Sequence, residues 1–259
     1  MSDQGGQDIR TEQHVGEPTG WAKPTPRIEV EQVPPGATNI NIEGRKRSGA
    51  LHGFGRLWQK TYRVRLEGAG KSPVEIMQIW KEKFADFQPP ENHFYPPMTG
   101  IKPNDVLFIS AKVPAFPGSP SILPISSGVT VLYVDDNQFT VMTPEGFPVS
   151  GWNTFSVQED EDGVPAAQVQ SLERSSDPIY EVFDRYFGSA AQQEKIWKTV
   201  LSNLAAHLGL KGEVTFDKVC VDPKVQWGAV KNVTKNAGAY TVLYVLGTPV
   251  RWFKSKVSK

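Results

Sequence analysis

The chain has 259 residues, and its 28 Lys and Arg residues balance 28 Asp and Glu residues to a formal net charge of zero. Hydrophobic residues make up 39% of the sequence and aromatic residues 10%, which excludes a wholly disordered polypeptide. Cys220 is the only cysteine, so no internal disulfide can form, as is typical of a reducing compartment. The neutral average argues against a nucleic-acid-binding protein, and no nucleic-acid partner is predicted.

The neutral average hides an uneven distribution of charge. Between Asp105 and Arg185 there are twelve acidic residues and three basic ones, whereas seven basic residues and no acidic one follow Asp222. Such an asymmetry is typical of an interaction tail. A basic end that only keeps the protein soluble would have the same composition.

Residues 1–48 are predicted to form a largely disordered or extended N-terminal arm. They are rich in Gly, Pro, Gln and charge, and their apolar residues are too sparse to offset the entropy lost on ordering. Ile28 with Val30, and Ile40 with Ile42, predict an extended segment or a weak hairpin within this arm.

A strand and a helix open the folded part. Apolar and polar residues alternate over residues 61–67, which predicts a half-buried strand. Ser72 can cap the helix, Pro73 suits its first position, and Glu75 completes a capping box. Apolar residues then recur on one helix face, at Val74, Met77, Trp80, Phe84 and Phe87.

Five short strands are predicted next. β-Branched and aromatic residues, separated by polar turns, mark residues 106–113, 130–134, 139–142, 149–157 and 166–172. Sequential strands joined by tight turns favour an antiparallel meander.

The sequence then changes to helical periodicity. Asp177 and Pro178 open a helix, Gly188 is expected to interrupt it, and a long amphipathic stretch ends at Gly209. The order of elements predicts an α+β layer arrangement with the last of these helices packed on one face of a sheet.

Five segments resemble the START-like superfamily, also called polyketide-cyclase-like, SRPBCC or helix-grip proteins, and more narrowly a bacterial family within it. These segments are residues 53–65 (GFGRLWQKTYRVR), 128–135 (GVTVLYVD), 139–152 (FTVMTPEGFPVSGW), 177–181 (DPIYE) and 219–227 (VCVDPKVQW). The resemblance implies a helix-grip domain over residues 49–211, in which a curved antiparallel β-sheet wraps around a long C-terminal helix. Residues 212–259 are predicted from their apolar spacing and basic charge to add a basic amphipathic, helical C-terminal extension, which departs from the bare fold.

The resemblance also implies that an apolar small molecule or lipid binds between the sheet and the C-terminal helix. Because the superfamily includes lipid carriers, cyclases and chaperone-binding modules, the fold does not determine the chemistry. The predicted ligand-binding residues are Tyr133, Met142, Trp152, Tyr180, Phe183, Trp197 and Leu201, with His93 and Tyr95 at the pocket mouth. The alternative is that these aromatic residues fill a hydrophobic core that has no ligand cavity. Trp152 and Phe155 have opposite strand parity, so both can line one cavity only if a bulge intervenes.

No catalytic constellation is present in the sequence. Gly70-Lys71-Ser72 lacks the preceding Gly of a phosphate-binding loop, and the four histidines have no metal-ligand spacing. No catalytic residue, cofactor or metal is therefore predicted, and a binding protein is favoured. The alternative is a small cyclase- or dehydratase-like enzyme acting on a hydrophobic substrate in the same cavity.

The C-terminal extension carries the basic charge. From Val230 onward apolar residues recur at roughly heptad spacing, and a basic aromatic end follows. This pattern predicts contact with an anionic membrane or a partner through Tyr240, Tyr244, Arg251, Trp252, Phe253 and Lys254. Packing on the domain or on a second subunit, or a strand, remains an alternative. The lack of an apolar leader or spanning segment predicts a cytoplasmic location, with peripheral membrane association as a further expectation.

Overall fold

The computed structural model of the protein describes residues 20–95, 97, 100–114 and 121–247. Within these residues one antiparallel sheet has the strand order β2-β3-β4-β5-β6-β7-β1-β8. Its strands are β1 (Leu57–Arg65), β2 (Asn92–Tyr95), β3 (Val106–Pro114), β4 (Ser121–Val134), β5 (Gln138–Met142), β6 (Val149–Glu159), β7 (Pro165–Ser175) and β8 (Val214–Asp222). The meander from β3 to β7 confirms the five strands predicted in succession, and β2 adds a further strand that was not predicted.

Four α-helices accompany the sheet in the described residues. They are α1 (Pro73–Glu82), α2 (Pro178–Tyr186), α3 (Ser189–His207) and α4 (Ala237–Leu246), and short 3-10 helices lie at Ala50–His52 and Trp227–Lys235. Helix α1 begins with the predicted capping box: the Ser72 hydroxyl accepts from the Glu75 N–H, and the Glu75 carboxylate accepts from the Ser72 N–H at 2.8 Å. Gly188, whose φ is 75°, separates α2 from α3 as expected.

The main core lies between the concave face of the sheet and helices α1 and α3. Phe155 on β6 is at its centre, because its ring stacks on Phe139 at 4.6 Å and meets the rings of Trp80 and Trp197 edge-on. Val200, Leu201 and Leu204 of α3 are fully buried in the same cluster. A curved sheet around a long helix is the α+β helix-grip fold, so the predicted fold class is confirmed.

The chain returns to the sheet after α3. β8 pairs with β1, so that Lys218 lies opposite Lys60 and Phe216 lies opposite Tyr62, whose ring it stacks on at 4.7 Å. Helix α3 is therefore the gripped helix without being the last element. The sheet runs past residue 211, where the domain boundary was expected, and the division into domains stays a prediction.

Residues 20–48, which we call the N-terminal segment, cover the convex face of the sheet. The Ala22 N–H donates to the Leu132 carbonyl at 2.7 Å. Ile28 and Ile42 are buried against Val106 and Phe108 of β3. The described part of the predicted arm therefore makes ordered contacts with the sheet, while residues 1–19 lie outside the described residues.

Helix α4 packs against the edge of β4, before the part of β4 that pairs with β5. Thr241 is buried there, and its hydroxyl accepts from the Ser126 N–H at 3.2 Å. The buried Asn41 amide donates to the Ala237 carbonyl at 3.2 Å and to the Thr241 hydroxyl at 3.1 Å. Asn41 thus joins the N-terminal segment to α4.

Candidate ligand-binding site

A cavity of about 210 Å³ lies between the concave face of the sheet, α2 and the first half of α3. Most of its surface is aromatic or aliphatic. The aromatic residues in the lining are Phe84, Phe94, Phe147, Trp152, Phe155, Tyr180, Phe183, Phe187 and Trp197. An apolar cavity of about 150 Å³ in another protein accepts benzene, so this one has room for a somewhat larger ring system.

Strand alternation and one helix junction position the apolar lining. On β3, the lining residues Leu107, Ile109 and Ala111 have the same parity and therefore lie on one face. At the junction, Phe183 and Phe187 stack at 4.8 Å, where the chain turns at Gly188 from α2 into α3. A left-handed residue at this turn favours glycine, which has no Cβ to strain.

A buried ion pair closes one side of the cavity. The Glu173 carboxylate on β7 accepts from Lys60 Nζ at 2.7 Å and from Gln193 Nε2 at 2.9 Å. Lys60 also donates to Gln193 Oε1. The Lys60 and Glu173 side chains are 5% and 2% exposed. Both carboxylate oxygens and the ammonium are thereby engaged within the protein, as buried charges must be.

Asp184 on α2 is a second carboxyl group in the lining, with a different environment. It makes no hydrogen bond or ion pair with another described residue. Burial raises its pKa, and the nearby charges of Lys60 and Lys218 only partly oppose this effect. Asp184 is therefore available to a polar group of a bound molecule, which Glu173 is not.

Tyr180 connects the cavity with α4. It lines the cavity, and its hydroxyl accepts from the Gly238 N–H at 2.9 Å. Burial raises the pKa of this phenol, so the hydroxyl stays protonated. Its position is consequently determined by a backbone group at the start of α4.

The predicted ligand residues are only partly brought together. Trp152, Tyr180, Phe183 and Trp197 belong to the lining. Tyr133, Met142 and Leu201 are not among the described residues that line the cavity. The Tyr133 ring meets the Trp21 ring at a tilt on the convex side, and Leu201 is buried in the main core. A Cβ at Gly49 would lie 3.6 Å from Met142 Cε and 3.8 Å from Trp152 Cζ3. The Trp152 ring therefore lies on the convex side with Met142, as its parity relative to Phe155 requires.

The predicted mouth residues lie on β2. The His93 and Tyr95 rings meet at 4.3 Å, and Tyr95 packs against the cluster of Ile28 and Ile42. Neither belongs to the cavity lining, which instead takes Asn92 and Phe94 from the same strand.

Sequence reasoning also missed the polar residues of the cavity. Lys60 has the same strand parity as Tyr62 and Val64, and Glu173 has the same parity as Ala167 and Val169. Charged residues on an otherwise apolar strand face are a recognisable signal of a buried pair. Nothing in the local sequence indicates which residues pair, because Lys60 and Glu173 are 113 positions apart.

Helix α4 exposes much of its apolar surface. Tyr240 is at the surface under the Arg45 guanidinium, 5.2 Å from its ring centre, and Leu243 and Leu246 are 66% and 69% exposed. Tyr244 is also exposed. Arg251, Trp252, Phe253 and Lys254 lie outside the described residues, so contact with a membrane or partner stays a prediction. In the part of the chain that the structure describes, no helix is both long and apolar enough to cross a membrane.

The described residues also contain no group of three His, Cys, Asp or Glu side chains arranged to hold a metal ion. The polar atoms at the cavity are instead carboxylates, amides and hydroxyls. They suit hydrogen bonding to an organic molecule.

Several solved structures are similar to part of this chain. The KanY protein is 10% identical with a TM-score of 0.42, covering 60% of this chain and 99% of its own. Protein Ms6760 from Mycobacterium smegmatis is 14% identical with a TM-score of 0.39, and the match covers 58% of this chain and 90% of that protein. The di-domain ARO/CYC StfQ from the steffimycin biosynthetic pathway is 7% identical with a TM-score of 0.38, and the match covers 60% of this chain and 53% of that protein.

These likenesses concern the fold alone, and the helix-grip assignment is made from the sheet order and the position of α3. No protein-family model matches the sequence, and no curated protein matches it.

Proposed function

We propose that the protein binds a compact apolar small molecule in the cavity between the sheet and helices α2 and α3. The observation that carries the proposal is the cavity itself, about 210 Å³ with a largely aromatic lining. Ligand sites are concave and mostly apolar, with a few placed polar groups, as this one is. The volume is below the usual ~300–1,000 Å³ of sites for drug-sized ligands, which favours a small ring system over a long-chain lipid.

Helix α2 is the element that ligand entry would displace. Of its residues Glu181 is buried, whereas Ile179, Val182 and Tyr186 are exposed. A helix with so little buried apolar surface opens at a lower free energy than α3, which carries five buried residues. Entry past α2 would leave the core between α3 and the sheet intact.

The ion pair supports binding over catalysis. A general base needs a free oxygen near the proton that it removes. Both oxygens of Glu173 already accept hydrogen bonds from Lys60 and Gln193. The enzyme alternative would therefore depend on Asp184 alone among the carboxyl groups at this end of the cavity.

The test is to fill the cavity and measure binding of N-phenyl-1-naphthylamine, a neutral apolar fluorophore. Ala111→Phe places a ring in the cavity from β3, and we expect it to weaken binding about tenfold or more, equivalent to about 1.4 kcal/mol. Ala206→Phe is the matched control, because Ala206 is exposed on α3 and outside the lining. Fluorescence titration gives both affinities, and circular dichroism establishes that both variants are folded.

Equal affinities for the two folded variants would contradict the proposal. Phe183→Ala adds a second arm, since it enlarges the cavity and should change affinity without adding bulk. A probe that binds all four proteins alike occupies a different surface.

A further inference from the structure

The charged residues that line the cavity are all acidic. Three of them belong to the described lining: Glu91, Glu173 and Asp184. Glu91 forms an ion pair with Lys195 at 3.1 Å and Glu173 forms one with Lys60 at 2.7 Å, and neither lysine is part of the lining. Asp184 forms no ion pair or hydrogen bond with a described residue, and the charges of Lys60 and Lys218 only partly offset the cost of its burial.

Resting on the binding function proposed above, we infer that the ligand is an apolar amine, held by an ion pair between its ammonium group and Asp184. The surrounding rings suit the same charge, because the face of an aromatic ring attracts a cation. Phe183, Phe187 and Trp197 lie in the same lining as Asp184. A buried ammonium needs a hydrogen-bonded counter-charge, and Asp184 supplies it.

The same lining disfavours an acidic ligand. A carboxylate in the cavity would meet Asp184 and the Glu173 pair, whereas neither Lys60 nor Lys218 belongs to the described lining. Lys60 cannot neutralise such a carboxylate, because its ammonium already donates to Glu173 and Gln193. In a site of low polarity, like charges at short distance repel strongly. Fatty acids and aromatic acids are therefore expected to bind more weakly than amines of the same shape.

Burial of Asp184 adds a pH dependence to this preference. Its pKa is raised by burial, and an ammonium ion beside it would lower that pKa again. Amine binding should consequently weaken as the pH falls and the carboxyl group becomes protonated. Binding of a neutral molecule should be much less sensitive to the same change.

Three probes share one ring system and differ in the charge of their polar group: 2-naphthylmethylamine, 2-naphthylmethanol and 2-naphthoate. Each is titrated calorimetrically into the full chain at pH 7. We expect the amine to bind about tenfold more tightly than the alcohol and the naphthoate to bind most weakly. Asp184→Asn should weaken the amine about tenfold and leave the alcohol nearly unchanged. Asp217→Asn is the matched control, since Asp217 is exposed on β8 and outside the lining.

Naphthoate binding as tight as amine binding would overturn this inference and leave the proposed function standing. An unchanged amine affinity in Asp184→Asn would do the same. If none of the three probes binds, the proposed function fails and this inference with it. Thermal unfolding of both Asn variants shows whether a loss of binding comes from a loss of fold.

Discussion

The two faces of the sheet are covered in different ways. On the convex face, the N-terminal segment packs on the strands, and Asn41 joins it to α4 at the edge of β4. On the concave face, α1 and α3 pack against a continuous apolar core, yet α2 and the start of α3 leave a cavity. The space for a ligand therefore lies where α2, and not α1, covers the sheet.

One buried junction connects α2 with α4. Asp177 caps α2 by accepting from the N–H groups of Ile179 and Tyr180, and its second oxygen accepts from Asn236 Nδ2 at 2.8 Å. The Asn236 side-chain oxygen in turn caps α4 by accepting from the Ala239 N–H. The helix that roofs the cavity is thus attached to α4.

The largest expected effect comes from the ion pair on the concave face. Lys60→Met leaves Glu173 buried without its counter-charge, which should cost about 3–5 kcal/mol in the free energy of unfolding. The double variant Lys60→Met/Glu173→Met should recover most of that loss, because a buried pair is often replaceable by apolar side chains. Urea unfolding followed by circular dichroism measures both.

The control for that experiment is Lys198→Met on the surface of α3. Lys198 pairs with Glu194 at 2.7 Å within the helix, and such exposed pairs contribute only about 0.5 kcal/mol. If the Lys60 and Lys198 variants lose equal stability, the buried pair does not support the concave face.

On the convex face, Ile42→Ala tests whether the N-terminal segment belongs to the folded unit. Ile42 is 1% exposed against β3, so its truncation should cost about 2–4 kcal/mol in unfolding free energy. Val33→Ala, at a position in the same segment that is 45% exposed, should change stability by about 0.5 kcal/mol or less. Denaturant unfolding of the full chain compares them, and an unaltered midpoint for Ile42→Ala would show that the segment is an accessory arm.

The smallest expected effect is a gain in stability from Asp184→Asn. Because the folded-state pKa of Asp184 is raised above its usual value of 3.8, this carboxyl group favours folding below that pH. Its contribution is lost as the pH rises through the folded-state pKa. The neutral amide should therefore raise the thermal midpoint at pH 7, with little difference at pH 3.

The charged groups that act on Asp184 come from four elements: Lys60 on β1, Lys218 on β8, Glu173 on β7 and Glu181 on α2. Thermal unfolding midpoints of Asp184→Asn and the unaltered protein at pH 3, 5 and 7 distinguish the effect of removing the charge from an effect on packing. A gain of the same size at every pH would mean that the substitution acts through packing and that the carboxylate is not under strain in the cavity.

Local signals in the sequence predicted most of the helices and strands. The capping box at Ser72, the break at Gly188 and the alternation in β1 depend on neighbouring residues, and all three are found as expected. The expected face of α1 was right at Met77 and Trp80 and wrong at Val74, which is 42% exposed. β8 was overlooked, although Val214 and Phe216 alternate with polar residues, because it was assigned to the basic extension.

By itself, the sequence determined the fold class, because capping, alternation and helical periodicity are short-range properties that each segment expresses independently. Only the tertiary structure decided which face of each strand meets the cavity, since the sheet register and the path of the covering segments place Met142 and Tyr133 on one side and Asn92 and Asp184 on the other. It likewise decided that Lys60 neutralises Glu173 while Asp184 stays without a partner. Charge pairing between distant segments depends on distance in space, and no local pattern encodes that distance.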